Sequence, residues 1–149
     1  MNNQTRKTPK KKEKSDQELL ELLNTEFPGY PASLLSFTQG NDPKETGKTI
    51  ENLKNFVRKT GKDISTSQVR NLYSKARAVK NESQLQLLRP QIAYMVARQQ
   101  ATGQPYKRES MRKFFLLLDD LISKGISLPD FLKIFEAIVA YHKYFGEKN

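Results

Sequence analysis

From residue 42 onward, apolar side chains recur every three or four residues in five successive runs, separated by glycines and prolines, and no run alternates strictly between apolar and polar. Three to four residues is the period of a helix face, whereas a half-buried strand repeats every two. The chain is therefore expected to be all-α, a compact bundle of about five helices with essentially no sheet.

The helix ends carry their own signals. Asp42-Pro43-Lys44-Glu45 sets an N-cap acceptor, a first-turn proline and an N3 glutamate before Ile50, Leu53 and Val57, and Gly61 closes that run. Ser65 and Gln68 frame a capping box ahead of Val69, Leu72, Tyr73, Ala76 and Val79. Pro90 suits a first helical turn and disfavours a helical Arg89, which places a third helix from there through Ile92, Met95, Val96 and Gln99. Gly103 and Pro105 end it, and residues 104–108 read as a loop. The fourth helix keeps its rhythm through Met111, Phe114, Phe115, Leu118, Leu121 and Ile122 to Gly125. Ser127 and Asp130 cap the fifth, whose stripe runs from Leu128 through Phe131, Leu132, Phe135, Ile138 and Val139 to His142.

The last two helices have more apolar surface than one buried stripe needs. Leu116 and Leu117 fall off the stripe of the fourth, and Ile134, Ala137, Tyr141 and Tyr144 form a second stripe on the fifth. Such a helix is either central in its bundle or continues into a neighbouring subunit. Leu116, Leu117, Tyr141 and Tyr144 are accordingly the candidate protein-interface residues.

The first forty-one residues read differently. Residues 1–15 hold six basic residues, one acid and no large apolar residue beyond Met1, a composition that cannot offset the entropy cost of ordering. Ser15 and Glu18 form a capping box ahead of Leu19, Leu20, Leu22 and Leu23, so a short helix near 16–24 is expected, ended by Phe27-Pro28-Gly29-Tyr30-Pro31. Residues 27–41 read as a linker or a segment that orders against a partner. The expected division is a flexible basic tail over 1–41 and a helical bundle domain over 42–149.

Charge narrows the function. Lysine and arginine outnumber aspartate and glutamate 26 to 16, for a formal charge of +10, as suits a polyanion partner. No run approaches the ~20 apolar residues of a membrane span and no signal peptide is seen, so no membrane and a cytoplasmic location are expected. The chain has no cysteine and one histidine, which leaves little for a metal site. His142 lies on an apolar stripe without a carboxylate in register to orient it as a base. Asp119 and Asp120 are consecutive and point apart, and the Asn41–Thr49 run lacks the first glycine and preceding strand of a phosphate-binding loop. The sequence predicts neither an enzyme nor a bound metal or cofactor.

What remains is a set of cations suited to phosphate. Lys54 and Arg58 (with Lys59) lie on the first helix, Arg70, Arg77 and Lys80 run along one side of the second, Arg98 ends the third, and Lys107, Arg108 and Arg112 (with Lys113) cluster beyond it. Arginine's planar fork can pair with two phosphate oxygens, a contact that confers affinity without reading sequence.

Three segments resemble a known family: ISTSQVRNLYSKAR at 64–77, LLRPQIAYMVAR at 87–98 and FEAIVAYHKYFG at 135–146. They are similar to the small subunit of type III-A CRISPR effector complexes, the Csm complex, over roughly residues 44–149. The resemblance implies a five-helix subunit without catalytic activity, stacked in several copies along the crRNA filament. It further implies contacts with crRNA, target RNA, the large polymerase/nuclease subunit and the backbone subunits, and self-association that could yield a dimer in isolation. Of the cations, Arg70 and Arg98 match the family's basic positions. Two other readings stand beside it. A free-standing helical DNA-binding regulator or nucleoid protein would set base-reading residues early on a recognition helix, and a pure protein adaptor would show no salt-sensitive affinity for nucleic acid.

Overall fold

Helices α7 (Pro105–Ser123) and α8 (Leu128–Gly146) form the centre of the molecule, a computed structural model that describes residues 13–99 and 105–146. Around them lie α1 (Asp16–Glu26), α2 (Ala32–Leu35), α3 (Pro43–Thr60), α4 (Thr66–Arg77), α5 (Glu82–Gln86) and α6 (Arg89–Gln99). α7 packs against α1, α3, α5 and α6, and α8 packs against α2, α3 and α4. The described residues are helical with no strand, as the apolar period predicts.

This arrangement accounts for the wide apolar surfaces of the two central helices. α7 is covered by several helices at once, and every residue from Met111 to Leu118 is buried. Leu116 (6% exposed) and Leu117 (0%) belong to this chain's own core. Their expected place at a protein interface is corrected: neighbouring helices of the same chain use both stripes. Tyr141 is half-buried, and Tyr144 stays 52% exposed.

The capping signals operate as read. Glu18 N–H donates to Ser15 Oγ at 3.1 Å while Ser15 N–H donates to Glu18 Oε1 at 2.8 Å, and Ser65 with Gln68 repeats the pattern at 3.1 and 3.2 Å. Asp42 accepts from Lys44 N–H, and Ser127 Oγ from Asp130 N–H. Gly125 ends α7 at φ +83°, the left-handed region that glycine enters freely. There Ile126 N–H reaches back to Leu121 O and Gly125 N–H to Ile122 O, satisfying carbonyls the helix leaves open.

Several boundaries differ from expectation, among them the end of α4, which stops at Arg77 and leaves Val79 and Lys80, read onto that helix, beyond it. α5 is too short to show a period and starts where the Asn81 side chain accepts from Gln84 N–H at 2.9 Å. Arg89 is the first residue of α6 despite the proline after it, held by its Nε donating to Asp119 Oδ1 of α7 at 2.9 Å. α7 begins at Pro105, which suits a first turn, so Lys107 and Arg108 lie on a helix and not in a loop.

The largest correction concerns the N-terminal segment. Leu19, Leu23, Phe27, Tyr30 and Leu34 are all buried in the single core shared with the bundle. Tyr30 Oη donates to Asp120 Oδ2 at 2.5 Å. Thr38 donates to Asp130 Oδ1 through N–H (2.7 Å) and Oγ1 (2.6 Å), and Gln39 Nε2 donates to Oδ2 at 3.0 Å. Among the described residues, then, 13–41 shares one core with the rest, and 27–41 packs against the bundle itself. Residues 1–12, expected as a disordered tail, lie outside the described residues.

Candidate nucleic-acid interface

The rotation of α4 about its axis decides which cations face water. Val69, Leu72 and Ala76 are buried, and Tyr73 packs on Phe135 of α8 with ring centroids 5.2 Å apart. At about 100° per residue, this sets Arg70, Ser74 and Arg77 on the flank beside Tyr73, and the Arg77 guanidinium lies 5.8 Å from the Tyr73 ring centroid. Arg70, Arg77 and Lys80 are all exposed.

The other flank of α4 faces α6. Gln68, Asn71 and Lys75 line one wall of a groove of about 340 Å³, and Gln91, Tyr94 and Arg98 line the other. The Arg98 guanidinium lies 5.9 Å from the Tyr94 ring centroid, within cation–π range. Arg70 and Arg98 thus sit on opposite sides of α4, with its solvent face between them. Lys75, Asn71 and Gln91 were not singled out from the sequence, because which residues of two helices share a groove depends on how the helices cross. The Tyr94–Arg98 pair is legible, since residues four apart stack on one helix face.

On α3, Lys54 Nζ lies 6.0 Å from the ring centroid of Tyr144, joining a candidate cation to a candidate interface tyrosine. Arg58 is exposed and donates to Asn55 Oδ1 at 3.0 Å. It lines a second cleft, between α3, the start of α4 and the end of α8.

The cluster on α7 is a different matter. Arg112 is 4% exposed; Nη2 donates to Asp16 Oδ1 at 2.7 Å and Nη1 to Lys14 O at 2.9 Å, with Glu13 at 3.8 Å. Arg108 pairs with Glu13 at 2.7 Å, holding that carboxyl below its ordinary pKa chiefly through the hydrogen bond, and Lys113 pairs with Glu26 at 2.9 Å. These cations tie α1 to α7. The expectation that Arg108 and Arg112 present charge to nucleic acid is corrected, because acids some ninety-five residues away in sequence meet them first. Lys107 is half-buried beside them. Replacing Arg112 with Ala leaves Asp16 and the Lys14 carbonyl without their buried donor and is expected to lower stability by about 1–3 kcal/mol, read by thermal melting. A variant that melts like the parent would show that these contacts do not hold α1 to α7.

His142, the one histidine, is buried with Nε2 at 3.0 Å from Gly61 O and 2.9 Å from Ile64 O. Carbonyls only accept, so the Nε2–H donates to both and pins the turn between α3 and α4. A Cβ at Gly61 would lie 3.0 Å from His142 Cδ2 and from Val57 O, a contact tight enough that a side chain here would push its neighbours apart by a few tenths of an ångström. The two acids weighed as a metal pair are also taken up: Asp119 binds Arg89, and Asp120 accepts from Tyr30 and Lys124. Among the described residues no group of three or more histidines and acids is placed to hold a metal ion, and no helix is long and apolar enough to cross a membrane.

Compared with protein families, the chain matches Csm2 Type III-A over residues 42–148. No curated protein and no solved structure matches it.

Proposed function

The chain belongs to the Csm2 family and is a small subunit of the type III-A Csm complex of CRISPR defence, and from that premise we propose that it is a non-catalytic element that grips the phosphate backbones of crRNA and target RNA. The observation that carries this reading is the solvent side of α4 and α6. Arg70, Arg77 and Lys75 on α4 and Arg98 on α6 are exposed, and none is in an ion pair with an acid among the described residues. Cations placed on both sides of one helix follow a backbone and do not read bases, which is how affinity without sequence preference arises. The double hydrogen bond of His142 supports the non-catalytic part, since the chain's one imidazole serves as a clasp between helices.

In this proposal several copies stack along the crRNA filament in the cytoplasm, touching the large polymerase/nuclease subunit and the backbone subunits. Tyr144, exposed near the end of α8 and paired with Lys54, belongs to such a subunit contact, and the same surface could join two copies of the isolated chain. Weak contacts of a single subunit gain strength from its neighbours through avidity. The exposed cations would suit a DNA backbone as well, and it is the family that favours the RNA reading over the regulator.

Two results would test the proposal. Replacing both Arg70 and Arg98 with Ala should weaken RNA binding about equally for all sequences, and flatten the log-affinity against log-salt slope by about 0.7 per lost contact on single strands; an unchanged slope removes both residues from the interface. Tagged protein purified from its native cell should bring down short crRNAs with a multisubunit complex. Recovery of DNA instead would favour the regulator.

A further inference from the structure

We propose that the groove between α4 and α6 is a single-nucleotide pocket that takes an unpaired RNA base onto the ring of Tyr94, a deepening that rests on the RNA-binding reading above. Backbone tracking needs cations alone. This groove has more: an aromatic ring that is 64% exposed, a guanidinium already 5.9 Å from its centroid, a lysine across the cleft and three amide side chains.

A large aromatic side chain left so open forgoes the burial that would stabilise the fold, and it is not needed there, because Ile92 and Val96 bury the inner face of α6. Bases stack on aromatic rings and on arginine planes alike, so Tyr94 and Arg98 together form a shelf. Lys75 and Arg98 supply positive charge on both walls for the phosphate of the stacked nucleotide, and among the described residues no acid lines the groove to repel it. The amides of Gln68, Asn71 and Gln91 can both donate and accept, which suits the exposed edge of an unpaired base. At about 340 Å³ the groove lies at the small end of the roughly 300–1,000 Å³ range of ligand clefts, which fits one nucleotide. A base inside a duplex has its faces covered by its neighbours, so the pocket selects unpaired positions.

The test uses the full chain, a single-stranded RNA of uniform sequence carrying one 2-aminopurine, and a fully paired duplex of the same sequence. Tyr94→Ala should lower affinity for the single strand by about 5- to 150-fold and abolish the quenching of 2-aminopurine fluorescence, while leaving affinity for the duplex unchanged. Tyr94→Phe keeps the ring and should retain both affinity and quenching. If Tyr94→Ala binds the single strand as tightly as the parent, or loses affinity equally for strand and duplex, the pocket is not a base site. If the parent binds neither RNA, the RNA-binding reading falls with it; salt-dependent binding that ignores Tyr94 overturns the base pocket alone.

Discussion

A chain shortened to residues 42–149 is expected to lose its cooperative thermal transition, although the removed segment looks like a tail in composition. Five large side chains of that segment, Leu19, Leu23, Phe27, Tyr30 and Leu34, are buried against the bundle. Burying each contributes about 1.5–3 kcal/mol, together comparable to the 5–15 kcal/mol net stability of a whole domain. The entropy regained by freeing the segment offsets part of that. The shortened chain, however, also uncovers the face of α7 beneath α1 and strands Arg112 without Asp16. Circular dichroism during heating would read the outcome. The milder Leu23→Ala, which leaves a cavity at a fully buried site, is expected to cost about 2–5 kcal/mol. A shortened chain that melts sharply at the parent's temperature would show that residues 13–41 are accessory to the fold.

Asp130→Ala is expected to produce the largest loss of any single polar substitution, about 2–4 kcal/mol, or roughly 5–15 °C in melting temperature for a chain of this size. The fully buried Asp130 carboxylate accepts from Thr38 N–H, Thr38 Oγ1, Gln39 Nε2 and Ser127 Oγ, and so fastens the end of the N-terminal segment to the first turn of α8. Burial by itself would raise its pKa, but the hydrogen bonds from Thr38, Ser127 and Gln39 outweigh burial and hold it below the ordinary aspartate value. A carboxylate whose pKa is lower folded than unfolded stabilises fully above the unfolded pKa, roughly pH 4, and that contribution is lost as pH falls through the folded value. The stability gap between the parent and Asp130→Ala should therefore be widest near neutral pH and shrink below about pH 4. An equal gap at pH 7 and pH 3 would mean that the ionised form is not what these bonds hold.

Local rules made the helices legible. Ser15, Asp42, Ser65 and Ser127 cap helices as their sequence neighbours indicate, because a cap involves atoms within three residues of one another. Gly125 ends α7 for the same reason. The basic flank of α4 was legible too, since one helix with a known buried stripe has only one solvent side. α5 escaped because five residues are fewer than two turns, too short for any period to repeat.

The sequence by itself determined the all-helical class, the presence of the six long helices, the N-caps of four of them, and, through three matching segments, the family. Only the tertiary structure decided which apolar and charged residues are spoken for. It placed Leu116 and Leu117 inside, turned Arg108 and Arg112 toward Glu13 and Asp16, drew 13–41 into the core, and set Tyr94 and Arg98 across a groove from Lys75. The physical reason is range: caps and periods act within one or two turns, whereas a buried ion pair or a shared groove joins residues that the chain separates widely and that only packing brings together.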